Sequence, residues 1–264
     1  MYDTYIKNPG FGVFNPLVRF FFRLAVRPLR RADLKAAQAP DYYVTISEYS
    51  KAAIQKYYGR EAKIIAPPVE VDDFRVDKIT NAKAIKAAKA PYYIATSRQV
   101  NWKRLDLAVR ACFLAQRRLI VIGEGPEHKK LVKMAAGSSL VQFLPLMKKS
   151  ELAQYLAGAR GYIFPSLEPF GIAPVEALAA GCPVLAYGVG GARDYVRDGK
   201  NGILFEPQTV EALAGAILAF EQKRFDRAKI SRTVGKFSVT QFDKNLKDFI
   251  KKCTKKAGHD IHAK

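Results

Sequence analysis

Six short apolar runs recur after residue 91, at 92–96, 119–123, 140–144, 162–165, 183–187 and 202–205. Their starts lie about 20 to 27 residues apart, the room needed for a strand, a loop, a helix and a return loop. The runs are apolar at successive positions rather than alternate ones, so both faces of each strand are expected under cover, as in a parallel sheet. Stretches 105–114, 150–156 and 175–180 between them read as helices. Crossovers of that length make right-handed βαβ units. The expected class is α/β, with a doubly wound parallel sheet over residues 91 to about 220.

The first 90 residues read differently. Asn15-Pro16 is a helix start, and Leu17, Phe20, Phe21 and Leu24 fall on one stripe, with Arg19, Arg23 and Arg27 at successive i+4 positions. Pro28 is expected to end or kink that segment. A second helix over 47–58 closes on Gly59 as its C-cap, and strands are expected only at 43–46 and 63–66. Near the other end, Ser238-Val239-Thr240-Gln241 is a capping box that opens a helix through Ile250, with 251–264 expected to fray.

Charge narrows the partners. With 44 Lys and Arg against 24 Asp and Glu, the net charge is +20, a field that attracts anions such as nucleic acid, acidic membranes or phosphorylated substrates. The cysteines, Cys112, Cys182 and Cys253, are odd in number and fit a reducing compartment better than a disulfide framework. Only three histidines are present, and His259 and His262 lie in a lysine-rich tail, which leaves almost no raw material for a three-histidine metal site or a Ser-His-Asp triad. No apolar stretch is long enough to span a bilayer and Met1 is not followed by a signal-peptide pattern, so a soluble or peripheral chain is expected.

In an open parallel sheet the ligand lies beyond the carboxyl ends of the strands. The loop after Thr96 carries Arg98 and Lys103, a pair able to clamp two phosphates, or simply a solvated basic loop. After the second run, Gly123 and Gly125 allow the backbone to approach a ligand, although any tight turn has the same composition. The fourth loop is more distinctive: Glu168 and Glu176 flank a turn into a helix through Phe170, Gly171, Ile172 and Ala173. Helix N-terminal N–H groups there can hold an anion, and paired carboxylates accept hydrogen bonds from the hydroxyls of a sugar or ribose.

These segments, followed by 179–184 and 198–202, occur in an order that resembles the nucleotide-sugar-binding half of a family-4 retaining glycosyltransferase of GT-B fold. Residues 43–74 are similar to the stretch leading out of that family's first domain. The resemblance implies catalytic roles for Arg98, Lys103 and Glu168, the two cations on the departing diphosphate and Glu168 on the transferred sugar. It implies substrate contacts from Gly123, Gly125, Phe170, Gly171, Ile172 and Ala173, with Glu176 on the ribose. It implies no metal and no cofactor.

The expected function is transfer of a sugar from a nucleotide diphosphate sugar, GDP-mannose or a UDP-sugar being the donor classes, to a glycan or lipid-linked acceptor. The expected divisions are 1–75, a mostly helical remnant of the acceptor domain; 76–235, the Rossmann-like donor domain; and 236–264, a helix and basic tail. An N-terminally truncated member, a fragment, a shortened reading frame or one part of a split enzyme is expected, without the half-domain that carries the family's opening strands and glycine-rich acceptor loop. A partner chain supplying that half-domain is therefore a further expectation, and a non-catalytic nucleotide-sugar-binding subunit is the alternative. Nucleic acid is not expected, because the charge is spread and no recognition motif occurs. A nicotinamide dehydrogenase is disfavoured, since no Gly-x-Gly-x-x-Gly follows the first run. A cytoplasmic location is expected, with the arginine-rich segment near the start resting on the inner face of the plasma membrane or packing into the protein.

Overall fold

The computed structural model describes residues 16–75 and 91–256. The chain opens with α1 (Pro16–Ala36), then β1 (Tyr43–Thr45), α2 (Glu48–Tyr58), β2 (Ala62–Ile64) and the single turn α3 (Val71–Phe74). From Tyr92 onward strands and helices alternate: β3 (Tyr92–Thr96), α4 (Leu105–Leu114), β4 (Arg118–Ile122), α5 (His128–Ala135), β5 (Val141–Leu144) and α6 (Lys149–Gly158). The alternation continues through β6 (Gly161–Phe164), α7 (Ile172–Ala179), β7 (Val184–Tyr187), β8 (Gly202–Phe205) and α8 (Val210–Glu221). Helices α9 (Arg227–Arg232) and α10 (Val239–Lys256) close it.

Strands β3 to β8 form one six-stranded sheet in the order β5-β4-β3-β6-β7-β8, and every pairing is parallel. The α/β class with a complete Rossmann-like parallel sheet is therefore observed. The strand period of two divides its side chains between two cores. Tyr92, Ile94, Tyr162, Phe164 and Val184 join Leu156 of α6 and Leu178 of α7 on one face. Tyr93, Ala95, Ile163 and Leu185 join Leu107 of α4 and Ile217 of α8 on the other. Strand order reverses between β3 and β6, which opens a crevice at their carboxyl ends. The loops after Thr96 and Phe164 thus lie side by side.

Strands β1 and β2 form a separate parallel pair, Tyr43 opposite Ala62 and Thr45 opposite Ile64. Ser47 caps α2 by accepting from Ser50 N–H, and Gly59 closes it in a left-handed conformation at φ 65°. The pair is tied to the larger sheet at several points. Glu48 N–H donates to Asp194 Oδ2 at 3.0 Å, Val69 bridges Ser238, and the Tyr42 and Phe249 rings meet edge to face at 6.2 Å.

Three local expectations need correction. Helix α1 runs through Pro28 to Ala36, so of the two outcomes expected there, an end or a kink, the end is overturned. Leu24 and Pro28 are both exposed, so the carbonyl left without its N–H partner faces water, while buried Val26 and Ala37 anchor the helix on either side. Only half of the capping box forms: Ser238 Oγ accepts from Gln241 N–H, but the Gln241 amide turns to Asn245. Helix α10 also stays helical to Lys256, where its half-buried stripe of Phe242, Leu246, Phe249 and Cys253 continues. Residues Leu17, Phe20 and Phe21 of the amphipathic stripe, the linker 76–90 and the tail 257–264 lie outside the residues whose side chains are described. Among the described residues no helix is long and apolar enough to cross a membrane.

Candidate active site

Two neighbouring cavities open at the carboxyl ends of β3, β4 and β6. The first, about 510 Å³, is lined by Lys103, Glu168, Phe170, Gly171, Ile172, Ala173 and Glu176. Thr96, Ser97, Phe164 and Pro169 complete its wall, with Ile46 and Pro67 reaching in from the first part of the chain. The second, about 460 Å³, is lined by Gly123, Glu124, Gly125, His128, Phe143, Leu144 and Pro145.

Charge in the first cavity is organised around Glu168. Its Oε1 accepts from Lys103 Nζ at 2.6 Å and from the buried Ser166 hydroxyl at 2.8 Å. The carboxylate is thereby fixed at the mouth of the cavity beside the cation. The backbone of its loop is held too: Gly191 N–H donates to Glu168 O at 2.8 Å, and Gln208 Nε2 donates to Pro165 O at 2.7 Å. The Tyr195 hydroxyl reaches Phe170 O at 2.8 Å. Such fastening prevents a ligand-binding turn from relaxing when its ligand is absent.

Helix α7 begins at Ile172 with Gly171 as a cap that offers no side-chain acceptor. The N–H groups of Ile172 and Ala173 are thus among the orphan donors of a helix start, aimed where an anion binds well. Glu176 stands one turn further along. Burial pushes its carboxyl pKa upward, and the Lys149 charge pulls the other way. Lys149 itself pairs with Glu70 and, at 3.8 Å, with Asp73 of α3. Ser97 Oγ, on the wall of the same cavity, is buried with no hydrogen-bond partner among the described residues. An unmade bond of that kind costs about 1–3 kcal/mol.

The glycines of the second cavity are there for backbone proximity. Gly123 sits at φ 127° and Gly125 at φ 158°, and a Cβ at either would strike the backbone of Ser97 or Gln99. The loops after β3 and β4 therefore touch along their main chains. Gln99, fully buried, joins them: its Nε2 donates to Gly123 O at 2.5 Å while its Oε1 lies 2.8 Å from His128 Nδ1.

The structure thus brings Lys103, Glu168, Phe170, Gly171, Ile172, Ala173 and Glu176 around one cavity and sets Gly123 and Gly125 on the next. Arg98 lines neither wall; its exposed side chain makes no hydrogen bond or ion pair among the described residues. Sequence reasoning missed Ser97, Gln99, His128, Phe143 and Ser166. The position of Ser166, two residues before Glu168, was a usable signal. Gln99 and His128 had none, since their meeting depends on the contact between two loops.

Comparison with known proteins supplies a family. Residues 77–236 match the family model described as glycosyl transferases group 1. A GDP-mannose-dependent alpha-(1-6)-phosphatidylinositol monomannoside mannosyltransferase of Mycobacterium tuberculosis (strain CDC 1551 / Oshkosh) is 28% identical over 235 residues, covering 81% of this chain and 61% of that protein. Among solved structures, Anabaena HepE in complex with UDP superposes with a TM-score of 0.71 at 22% identity, over 84% of this chain and 67% of that one. Sucrose-phosphate synthase from Thermosynechococcus elongatus gives a TM-score of 0.73 at 20% identity, over 95% and 65%. The chain spans about 61% of the length of the mycobacterial relative.

Proposed function

The chain belongs to the glycosyl transferases group 1 family, and from that premise we propose that its cavities bind a nucleotide diphosphate sugar and support transfer of the sugar to an acceptor hydroxyl. The observation that carries this reading is the Lys103–Glu168 pair facing the open start of α7 across one cavity, with a second cavity beside it. A diphosphate needs cations and N–H donors, a sugar needs a fixed carboxylate, and a base needs a separate slot. In this reading Lys103, with Arg98 swinging in from solvent, neutralises the diphosphate as the bond from the sugar C1 to the phosphate oxygen breaks. Glu168 orients the sugar hydroxyls and Glu176 holds the ribose. The acceptor oxygen attacks on the face from which the phosphate leaves, and its proton passes to the departing phosphate oxygen, so the anomeric configuration is retained. GDP-mannose and UDP-sugars are the donor classes proposed. The mycobacterial relative is named for a GDP-mannose reaction, and HepE was solved with UDP.

Calorimetry with UDP, GDP and their sugars tests the reading. Lys103→Ala is expected to weaken binding of the diphosphates by about 1.5 to 3 kcal/mol, the range for hydrogen bonds to charged groups, and to leave nucleoside binding nearly unchanged. Equal losses for nucleoside and diphosphate would remove Lys103 from the phosphates.

A membrane-borne acceptor is favoured by one further observation. Helix α1 exposes Leu24 and Leu34 beside the stripe of exposed cations Arg27, Arg31 and Lys35. Exposed leucines among cations fit an anionic bilayer surface, where each basic residue contributes about 1 kcal/mol. Co-sedimentation with anionic liposomes is expected at low salt and to fall when Arg27, Arg31 and Lys35 are changed to Glu. Retention of the triple variant on the liposomes would refute the membrane reading.

A further inference from the structure

The second cavity is lined by an imidazole whose orientation and donor nitrogen its neighbours set. Gln99 is fully buried and both ends of its amide are engaged. The Gly123 carbonyl can only accept, so the Gln99 NH₂ group must face it, which leaves the Gln99 carbonyl oxygen toward His128. That oxygen also can only accept. His128 therefore donates from Nδ1, and in the neutral ring the opposite nitrogen, Nε2, carries a bare lone pair.

Nε2 has no hydrogen-bond partner among the described residues, yet it does not occur among their buried unpartnered atoms. It is therefore accessible to solvent, on a residue that lines the cavity. Phe143 fixes the ring from the side, edge to face at 5.7 Å between centroids. Glu124, on the same wall, is a second acceptor. The side chains of this cavity thus offer acceptors against an aromatic and glycine-backed surface.

We infer that His128, set by Gln99, reads the nucleobase of the donor by accepting a ring N–H, and so selects uracil or guanine over cytosine and adenine. Uracil N3 and guanine N1 carry a hydrogen beside a carbonyl. The corresponding ring nitrogens of cytosine and adenine carry lone pairs, which would face the Nε2 lone pair without a proton between them. The inference rests on the donor-binding reading above and assigns one determinant within it. Gln99 is a positioning residue here, whereas His128 touches the ligand.

The test is calorimetry of UDP, GDP, CDP, ADP and inorganic pyrophosphate with the full chain and two variants. His128→Asn keeps a donor where Nδ1 stood, so the Gln99 contact is preserved, but it removes Nε2. Gln99→Leu removes the control on the ring, and its circular dichroism melt reports whether the loop contact survives. The wild-type chain is expected to bind UDP and GDP about tenfold more tightly than CDP and ADP, a difference of one well-made hydrogen bond. In His128→Asn that preference is expected to collapse while pyrophosphate affinity is unchanged. A flat order of affinities in the wild type, or a preference that survives His128→Asn, would overturn the inference and leave the donor reading standing. Failure of every nucleotide and of pyrophosphate to bind would overturn both together.

Discussion

The two sheets of this molecule are held together by different physics. In the six-stranded sheet, Tyr92 to Ala95 are all buried, and so are the four residues of β6. In the two-stranded sheet only Thr45 and Ala62 are buried, Val44 stays exposed, and α2 buries no residue. What joins β1, β2 and α2 to α1 and the connection after it is mostly polar. The Arg60 guanidinium donates to the carbonyls of Gln38, Pro40 and Asp41, Tyr43 donates to Ala37 O, and Tyr58 donates to Asp33. Apolar burial supplies most of the free energy of folding, whereas partly exposed hydrogen bonds exchange with water for little net gain. The larger sheet can stand on its own packing; the smaller one leans on it.

Residues 69–74 make the contrast testable, because they follow β2 in the chain but belong to the larger core. Val69, Val71 and Phe74 pack with Leu156, Val175 and Leu178 on the α6–α7 face of the sheet. Phe74→Ala is therefore expected to cost about 3–5 kcal/mol, as for a phenylalanine removed from a packed interior. Val44→Ala, on the exposed position of β1, is expected to cost about 0.5 kcal/mol or less. Urea unfolding midpoints give both numbers. Similar losses would mean that the two sheets share one core, and the distinction would fall.

Legibility followed the same divide. The six strands of the large sheet stand within a residue or two of where the apolar runs fall, because burial on both faces leaves a continuous run that needs no context to read. Helices α5 and α8 were not predicted. Of α5, only Leu131 and Ala135 are buried, at i and i+4 within a lysine-rich stretch, and α8 is too uniformly apolar to show a stripe. At the site, the spacing of Glu168 and Glu176 around a glycine turn was readable, since the helix start sets their relation locally. The Lys103–Glu168 ion pair and the Gln99–His128 bond join residues 65 and 29 positions apart. No local pattern encodes such distances.

A smaller effect sharpens the same contrast from the polar side. Arg60→Ala removes the three carbonyl contacts at once, and about 1 kcal/mol is expected, the net worth of a hydrogen bond or two in partly exposed surroundings. The loss is expected to be local. Amide hydrogen exchange should quicken across β1 and α2 while the amides of β3 and β6 keep their protection. Faster exchange in β3 to the same degree would show that the two regions unfold as one unit.

The smallest expected change sets the site against the core that carries it. Leu178 and Ala177 of α7 are buried and stabilise the fold at any pH, but Glu176 between them and the cavity does not. Burial holds its carboxyl pKa above the ordinary value, so the folded protein keeps this proton more tightly than the unfolded chain. Its favourable contribution is complete below the ordinary carboxylate pKa of about 4.3 and is lost as pH rises through the raised value. At neutral pH the chain carries a half-buried carboxylate that disfavours folding, offset in part by Lys149. Glu176→Gln, which keeps the shape and drops the charge, is expected to raise the melting temperature slightly at pH 7 and to match the wild type near pH 3.5. The same variant should bind UDP or GDP more weakly, since an amide accepts ribose hydroxyls less well than a carboxylate. Melting curves between pH 3.5 and 8, with and without nucleotide, measure both effects. A variant less stable than wild type at neutral pH would mean that Lys149 outweighs burial at this position, and Glu176 would then belong with the stabilising polar contacts of the smaller sheet.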